Sequence, residues 1–427
     1  MSLKCLLALI YFKCERYDET EIYLKEIIKN SKDVETSVKM LLGDTYAKKN
    51  NYRNALAIYE EIIKNYNSDD LEVKIANCLY NLNETEKANN MVMKVLNKDQ
   101  NNFEALLTYA NKMYENLQME DSLRVSLKLL VLQPNNKYAR FLFSKIMKHK
   151  ESFQLLENEL KEATIISKAA ALAFLAMIIK EYGLIQLSTK LYLIASTLNI
   201  KSVTYCLNYV HNLELFFDYI TAIDSILLFL KNNSNNDVFN LKGLETDHFY
   251  KVINNIYKNN ECETLPLVSS DKQITQYTSE QLDYLALLFT LVKICYLNGL
   301  FKLAFPLVKL IETLRTSDLH LTTIRNENAY FSCIQQLLPY HNNKNYEKNN
   351  NFKPIYVIGD SHCLALAYQT IQKHTKESGE HETKNILIPR LVTGMKIWHL
   401  RDESVFYTKF NFKNAVEKSN FVLKRMY

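Results

Sequence analysis

The chain has 427 residues, enough for several ordinary domains or for one long repeat array with an appendage. Glycine (7) and proline (6) fill about 3% of positions against roughly 12% in average proteins, which excludes collagen-like, Gly/Ser-linker and Gly-turn all-β architectures. The net charge of +5 resides in residues 352–427, with 12 Lys/Arg against 7 Asp/Glu; the first 351 residues balance at 40 and 40, so no nucleic-acid binding is expected of the main body.

Leu3–Phe12 is apolar but lacks a small-x-small cleavage site, and no apolar run reaches the ~18 residues of a membrane span. A periodic pattern starts at the same place. Leu7-Ala8-x-x-Tyr11 is followed by Tyr17, Thr20, Leu24 and Ile27, and Leu42-Gly43-x-x-Tyr46 by Tyr52, Ala55, Tyr59 and Ile62. Ile75-Ala76-x-x-Leu79 precedes Ala88, Val92 and Val95; Tyr109-Ala110-x-x-Met113 precedes Ser122, Ser126, Leu129 and Pro134. The small residues Thr20, Ala55, Ala88 and Ser122 are 35, 33 and 34 apart. Small residues flanked by large ones at this period predict pairs of short helices crossing closely, with Gly43 opposite Ala55 and Asn50-Asn51 at the turn.

Looser copies follow at Ala176, Gly183, Ser188, Tyr192 and Ala195, and at Val210, Leu213, Ala222 and Ile226. Residues 231–281 break the pattern and read as an insertion with one helix near Asp247–Lys258. Thr278-x-x-Gln281 has capping-box spacing and opens a helix pair, Tyr284–Leu297 and Leu300–Leu314, with Gly299 at the turn. A last helix near Thr322–Leu338 stops at Pro339.

This pattern resembles the tetratricopeptide repeat. The resemblance implies a mainly α fold: a right-handed α-α superhelix (TPR-like solenoid) over residues 1–340, whose concave groove binds a protein or peptide partner. In that family an inward position follows the Leu-Gly pair. Here it is held by Leu9, Asp44, Asn77, Asn111 and Lys145, and Asn77, Asn111 and Lys145 are each 34 apart. Amides and an ammonium on one stripe suit hydrogen bonds to a peptide backbone. Val73, Leu107 and Phe141 stand where carboxylate-clamping relatives have lysine, so a C-terminal carboxylate clamp is not expected.

The eight cysteines form no C-x-x-C pair and no Cys/His ligand spacing. They predict buried reduced thiols in a cytoplasmic protein, with no metal and no cofactor. Residues 341–353, rich in Asn and Lys, read as a linker. After Pro354 the run Ile355–Ile358 predicts a buried parallel strand, Gly359-Asp360-Ser361-His362 a tight turn, Cys363–His374 an amphipathic helix, and Ile386–Ile388 a second strand.

The string Val-Ile-Gly-Asp-Ser-His after a strand resembles the first block of SGNH (GDSL-type) hydrolases and acyltransferases. The resemblance implies that Ser361 is a nucleophile and Gly394 an oxyanion donor in a partial α/β segment, residues 354–427. The family's Gly-x-Asn-Asp and Asp-x-x-His strings do not occur, and both ends of the chain read as cut, Tyr427 in mid-domain. Without a positioned base a serine is a weak nucleophile at neutral pH, so esterase or acyltransferase activity is the alternative to a binding scaffold. Pro389–Arg401 carries the one Trp, Trp398, with His399, and its Arg390, Lys396 and Arg401 are candidate contacts for an anionic group.

Overall fold

The computed structural model describes residues 3–30, 34–258, 276–341, 352–372, 384–394 and 407–419. They form two compact units, Met1–Lys161 and Glu162–Tyr427.

The first unit is five helical hairpins: α1 (Leu3–Lys13) with α2 (Tyr17–Asn30), α3 (Thr36–Lys48) with α4 (Tyr52–Ile63), α5 (Asp69–Asn81) with α6 (Thr85–Lys98), α7 (Phe103–Glu115) with α8 (Met119–Leu132), and α9 (Lys137–Ile146) with α10 (Ser152–Glu159). Each second helix also packs on the first helix of the next pair. Asn51, Ser68, Asn102 and Asn136 cap helix N-termini with side-chain oxygens. Thr20, Ala55, Ala88 and Ser122, the small residues of the period, are all fully buried at the crossings. Gly43 meets Tyr59 of the same second helix as Ala55: a Cβ there would stand 2.4 Å from Tyr59 Cε1, so this glycine makes room for a ring.

The turn inside each of the first four hairpins is one backbone device. Glu15, Asn50, Asn83 and Leu117 take positive φ of 61°, 59°, 65° and 61°. The next N–H donates back to the carbonyl five residues earlier, as Asn51 to Tyr46 at 2.8 Å and Gln118 to Met113 at 2.9 Å. This is the Schellman closure of a helix end.

The second unit continues the scheme with α11 (Ile165–Glu181) and α12 (Ile185–Leu198), then α13 (Val203–Leu215) and α14 (Tyr219–Asn232). The same turns recur at Gly183, Phe217 and Gly299. Helix α15 (Thr246–Lys258) lies within the expected insertion, whose residues 259–275 fall outside the described ones. The Thr278/Gln281 capping box is present in both directions and opens α16 (Ser279–Leu297), buried throughout from Tyr284 to Leu297. Helices α17 (Phe301–Glu312) and α18 (Arg325–Leu337) complete the helical part. The fold is thus a TPR-like solenoid of helix pairs with a small C-terminal α/β segment.

In that segment β1 (Phe352–Gly359) runs parallel to β3 (Lys384–Leu391), and β2 (Thr370–Gln372) lies antiparallel on the other side of β3. Pro389 fits because β2 reaches only to Ile386, leaving β3 paired on one side there. β1 is an edge strand with Ile355 40% exposed, not the buried strand expected. The amphipathic helix expected over Cys363–His374 is absent from the described part of that range. A short 3-10 turn, Ser361–Leu366, leads into β2 instead, and residues 373–374 lie outside the described ones. The reason is Tyr368. Its φ is 54°, its N–H donates to Leu387 at 2.7 Å, its hydroxyl to the Leu297 carbonyl at 3.0 Å, and its ring lies against Gly299. These anchors to β3 and α16 outweigh local helix preference. Helix α19 (Tyr407–Lys418) packs on α13, where Asn411 and Asn414 donate to the Leu215 carbonyl at 3.2 and 2.9 Å.

Candidate functional site

In the first unit α5, α7 and α9 are successive neighbours, so Asn77, Asn111 and Lys145 occupy one position on adjoining first helices. Asn77 and Asn111 are exposed, and the Asn111 amide donates locally to Leu107 O at 2.8 Å. Lys145 is half-buried, its Nζ 4.6 Å from the Phe141 ring centroid and 5.9 Å from that of Tyr114. Aromatic faces attract an ammonium, so Lys145 is held in place by rings.

Asn77 lines a cleft of about 560 Å³ together with Phe12, Asp44, Lys48, Lys74 and Asn81. Asp44 accepts from the Tyr59 hydroxyl at 2.6 Å and pairs with Lys74 Nζ at 2.8 Å. Burial, with Asp44 beside it, raises the Tyr59 phenol far above its usual range, so it remains a donor. Lys74 and Asn81 escape a reading by single stripe position. Their signal is the spacing of three and four residues before and after Asn77, which places them near it on the same helix.

In the second unit the structure brings Ser361 and Gly394 to one pocket of about 610 Å³, shared with Tyr330, Cys333, Thr393 and Tyr407. Ser361 is exposed at the start of the 3-10 turn after β1, and among the described residues its hydroxyl has no hydrogen-bond partner. Asp360 accepts from the His362 N–H at 3.1 Å and from Nδ1 at 2.8 Å, which pulls its carboxyl below the usual range. That pair is spent on its own turn. Gly394 has φ 67° and open space where a Cβ would stand.

Beneath this pocket runs a seam of charges. Lys293 on α16 pairs with Glu214 on α13 at 2.8 Å, and His211 Nε2 lies 3.3 Å from Thr290 Oγ1. Burial raises the Glu214 carboxyl and, with Lys293 and Lys180 nearby, pushes the His211 imidazole well below its usual value. Burial lowers the Lys180 ammonium to about 8. The Arg390 guanidinium stacks on Tyr356 and Phe217, 4.8 and 5.6 Å from their centroids. Trp398, His399, Lys396 and Arg401 lie outside the described residues.

Cys78, Cys206, Cys295 and Cys363 are buried, and Cys14 is exposed. Among the described residues no group of three His, Cys, Asp or Glu is placed to hold a metal ion, and no helix is long and apolar enough to cross a membrane.

Residues 36–69, which are α3, its turn and α4 with the approach to α5, match the family profile "Tetratricopeptide repeat". The chain therefore carries a tetratricopeptide repeat at that place. Similar solved structures include PilF of Pseudomonas aeruginosa, 16% identical over 47% of this chain and 93% of that one, with a TM-score of 0.26. A tetratricopeptide repeat protein of Parabacteroides merdae is 12% identical over 77% of this chain and 97% of its own, with a TM-score of 0.29. Yeast Tom70 is 10% identical over 79% and 96%, with a TM-score of 0.16. No curated protein matches the chain.

Proposed function

We propose that this protein is a scaffold or adaptor of the cytoplasm that binds an extended segment of a partner protein along the first helices of its N-terminal unit. The observation that carries this reading is the position shared by Asn77, Asn111 and Lys145 on neighbouring helices, with a cleft opening beside Asn77. Exposed amides match the donors and acceptors of an extended backbone, and the Phe141–Lys145 pair offers a contact that is both apolar and cationic. Buried thiols support a reducing compartment. The test is partner recovery from cell extract with the wild-type chain and with Asn77→Asp/Asn111→Asp. Loss of the recovered partner is expected; unchanged recovery counts against the groove.

A second reading has one observation in its favour: Ser361 and Gly394 line the same pocket. On that reading residues 354–427 are a partial SGNH-like segment and Ser361 attacks an acyl carbon, in a longer form of the chain that supplies the base. Fluorophosphonate labelling that vanishes in Ser361→Ala is the expected sign. Absence of labelling in the longer form ends this reading.

A further inference from the structure

Helix α9 and the turn after it form a basic face on a chain body without net charge. Residues 137–150 hold Lys137, Arg140, Lys145, Lys148 and Lys150 and no Asp or Glu, whereas residues 1–351 balance at 40 and 40. The acids around this face are engaged or turned elsewhere. Glu115 on α7 pairs with Lys112 at 3.3 Å, and Glu159 on α10 with Arg124 on α8 at 2.9 Å. Glu104 stands about 15 Å along α7 from Tyr114, at 1.5 Å per residue. Glu151, the first acid after the run, and Glu157 belong to α10, which packs on α8 in the layer of second helices. Among the described residues Lys145, Lys148 and Lys150 have no carboxylate within ion-pair distance.

The same face carries rings. Tyr138 and Phe141 are 54% and 46% exposed, and with Lys145 they recur at steps of three and four along one side of α9. Tyr114 of α7 adds a third ring, its hydroxyl 3.2 Å from His149 Nε2. Every one of these rings has an ammonium over its face. Lys137 Nζ is 5.0 Å from the Tyr138 centroid, and Lys145 Nζ stands over both Phe141 and Tyr114. A nucleic-acid base needs an open ring face to stack on, and here an ammonium occupies it. What faces a partner is the outer side of each ammonium and the ring edges beside it. Lys145 is half-buried, so its attraction for a carboxylate is screened less than that of a fully hydrated lysine.

We infer that the α7–α9 end of the groove takes an acidic stretch of the partner, its Asp or Glu carboxylates at Lys145, Lys148 and Lys150 and its apolar side chains against Tyr138 and Phe141. The inference rests on the groove reading above and adds the chemistry of the partner. It uses side-chain carboxylates alone, so the stretch need not end its chain.

Fluorescence anisotropy with the full chain is the test. The probes are a short peptide of glutamates around a central leucine pair, amidated at its C-terminus, the same peptide with glutamine or lysine for glutamate, and oligothymidylate; phosphatidylserine vesicles are followed by co-sedimentation. The glutamate peptide should bind about tenfold tighter than the glutamine peptide, and the lysine peptide should not bind. Lys145→Met should weaken the glutamate peptide about tenfold and Lys145→Arg should retain it. Lys64→Met, at the exposed end of α4, removes the same charge and should change nothing. Should Lys145→Met not fold, Lys148→Met/Lys150→Met, at exposed positions, decides by the same loss. Equal affinity for the glutamate and glutamine peptides overturns the proposal. So does an equal effect of Lys64→Met, or tighter binding of oligothymidylate or of the vesicles. The two readings fail separately: the groove by unchanged partner recovery with Asn77→Asp/Asn111→Asp, the acidic partner by a glutamine peptide that matches the glutamate one.

Discussion

At Leu117 the backbone takes φ 61° while the side chain is 73% exposed, so a large residue occupies a left-handed turn with little packing in return. That conformation costs an ordinary L-residue about 1 kcal/mol or more, part of which glycine returns as unfolded-state entropy. Leu117→Gly should stabilise the first unit by about 0.5–1 kcal/mol, read as a higher urea midpoint. Gly43 is the opposite case. A methyl there would stand 2.4 Å from the fully buried Tyr59 ring. Gly43→Ala should cost about 1–3 kcal/mol, and Gly43→Ala/Tyr59→Leu should recover much of it, checked by the same denaturation. Both positions sit in the periodic pattern, but only Gly43 was legible there. The turn that recurs at Glu15, Asn50, Asn83, Leu117 and Phe217 is filled by residues with no common chemistry, so its period is written in backbone angle and not in residue type.

The seam between α13 and α16 shows how an element-level contact acquires a pH dependence. His211 is held neutral there by burial and by two lysines, well below the ordinary imidazole value of 6.5. The unfolded chain therefore binds one more proton once the pH falls below about 6.5. Stability associated with His211 is full above that pH and is lost progressively as the pH drops toward the folded value. His211 acts to lower the urea midpoint of the second unit between pH 6.5 and 5 while the raised Glu214 carboxyl acts the other way, so His211→Gln should shift that part of the profile toward higher stability at low pH relative to wild type. In the same seam Lys293 and Glu214 are both shielded, 6% and 12% exposed. Lys293→Met leaves a buried carboxylate without its partner and should cost about 3–5 kcal/mol, whereas Lys293→Met/Glu214→Gln should restore most of it.

The described tail residues are built into the second unit by hydrogen bonds to helix ends. Tyr368 closes the α16 carbonyl of Leu297, Asn411 and Asn414 close the α13 carbonyl of Leu215, and Tyr296 on α16 donates to Leu364 at 3.1 Å. A chain ending at His341 exposes those carbonyls and the ring site at Gly299. It should lower the thermal transition of residues 162–341 and leave that of residues 1–161 where it was, as differential scanning calorimetry of the full and shortened chains will measure. Repeat arrays are stabilised by nearest-neighbour contacts, so damage at one end need not travel to the other.

The sequence by itself determined the helical repeat. A near absence of glycine and proline, small residues about every 34 positions and the Thr278/Gln281 capping box are local properties, and local properties survive without knowledge of the fold. It marked Asn77, Asn111 and Lys145, because one repeat position needs only counting. Only the tertiary structure decided that the stretch after Ser361 abandons helix for a 3-10 turn and a strand, since the anchors of Tyr368 lie on α16 and on β3. Only it gathered Lys180, His211, Glu214 and Lys293 from three separate helices beneath one pocket. Each of those residues reads alone as an ordinary polar position, and their chemistry arises from burial and mutual distance, which belong to the packed chain.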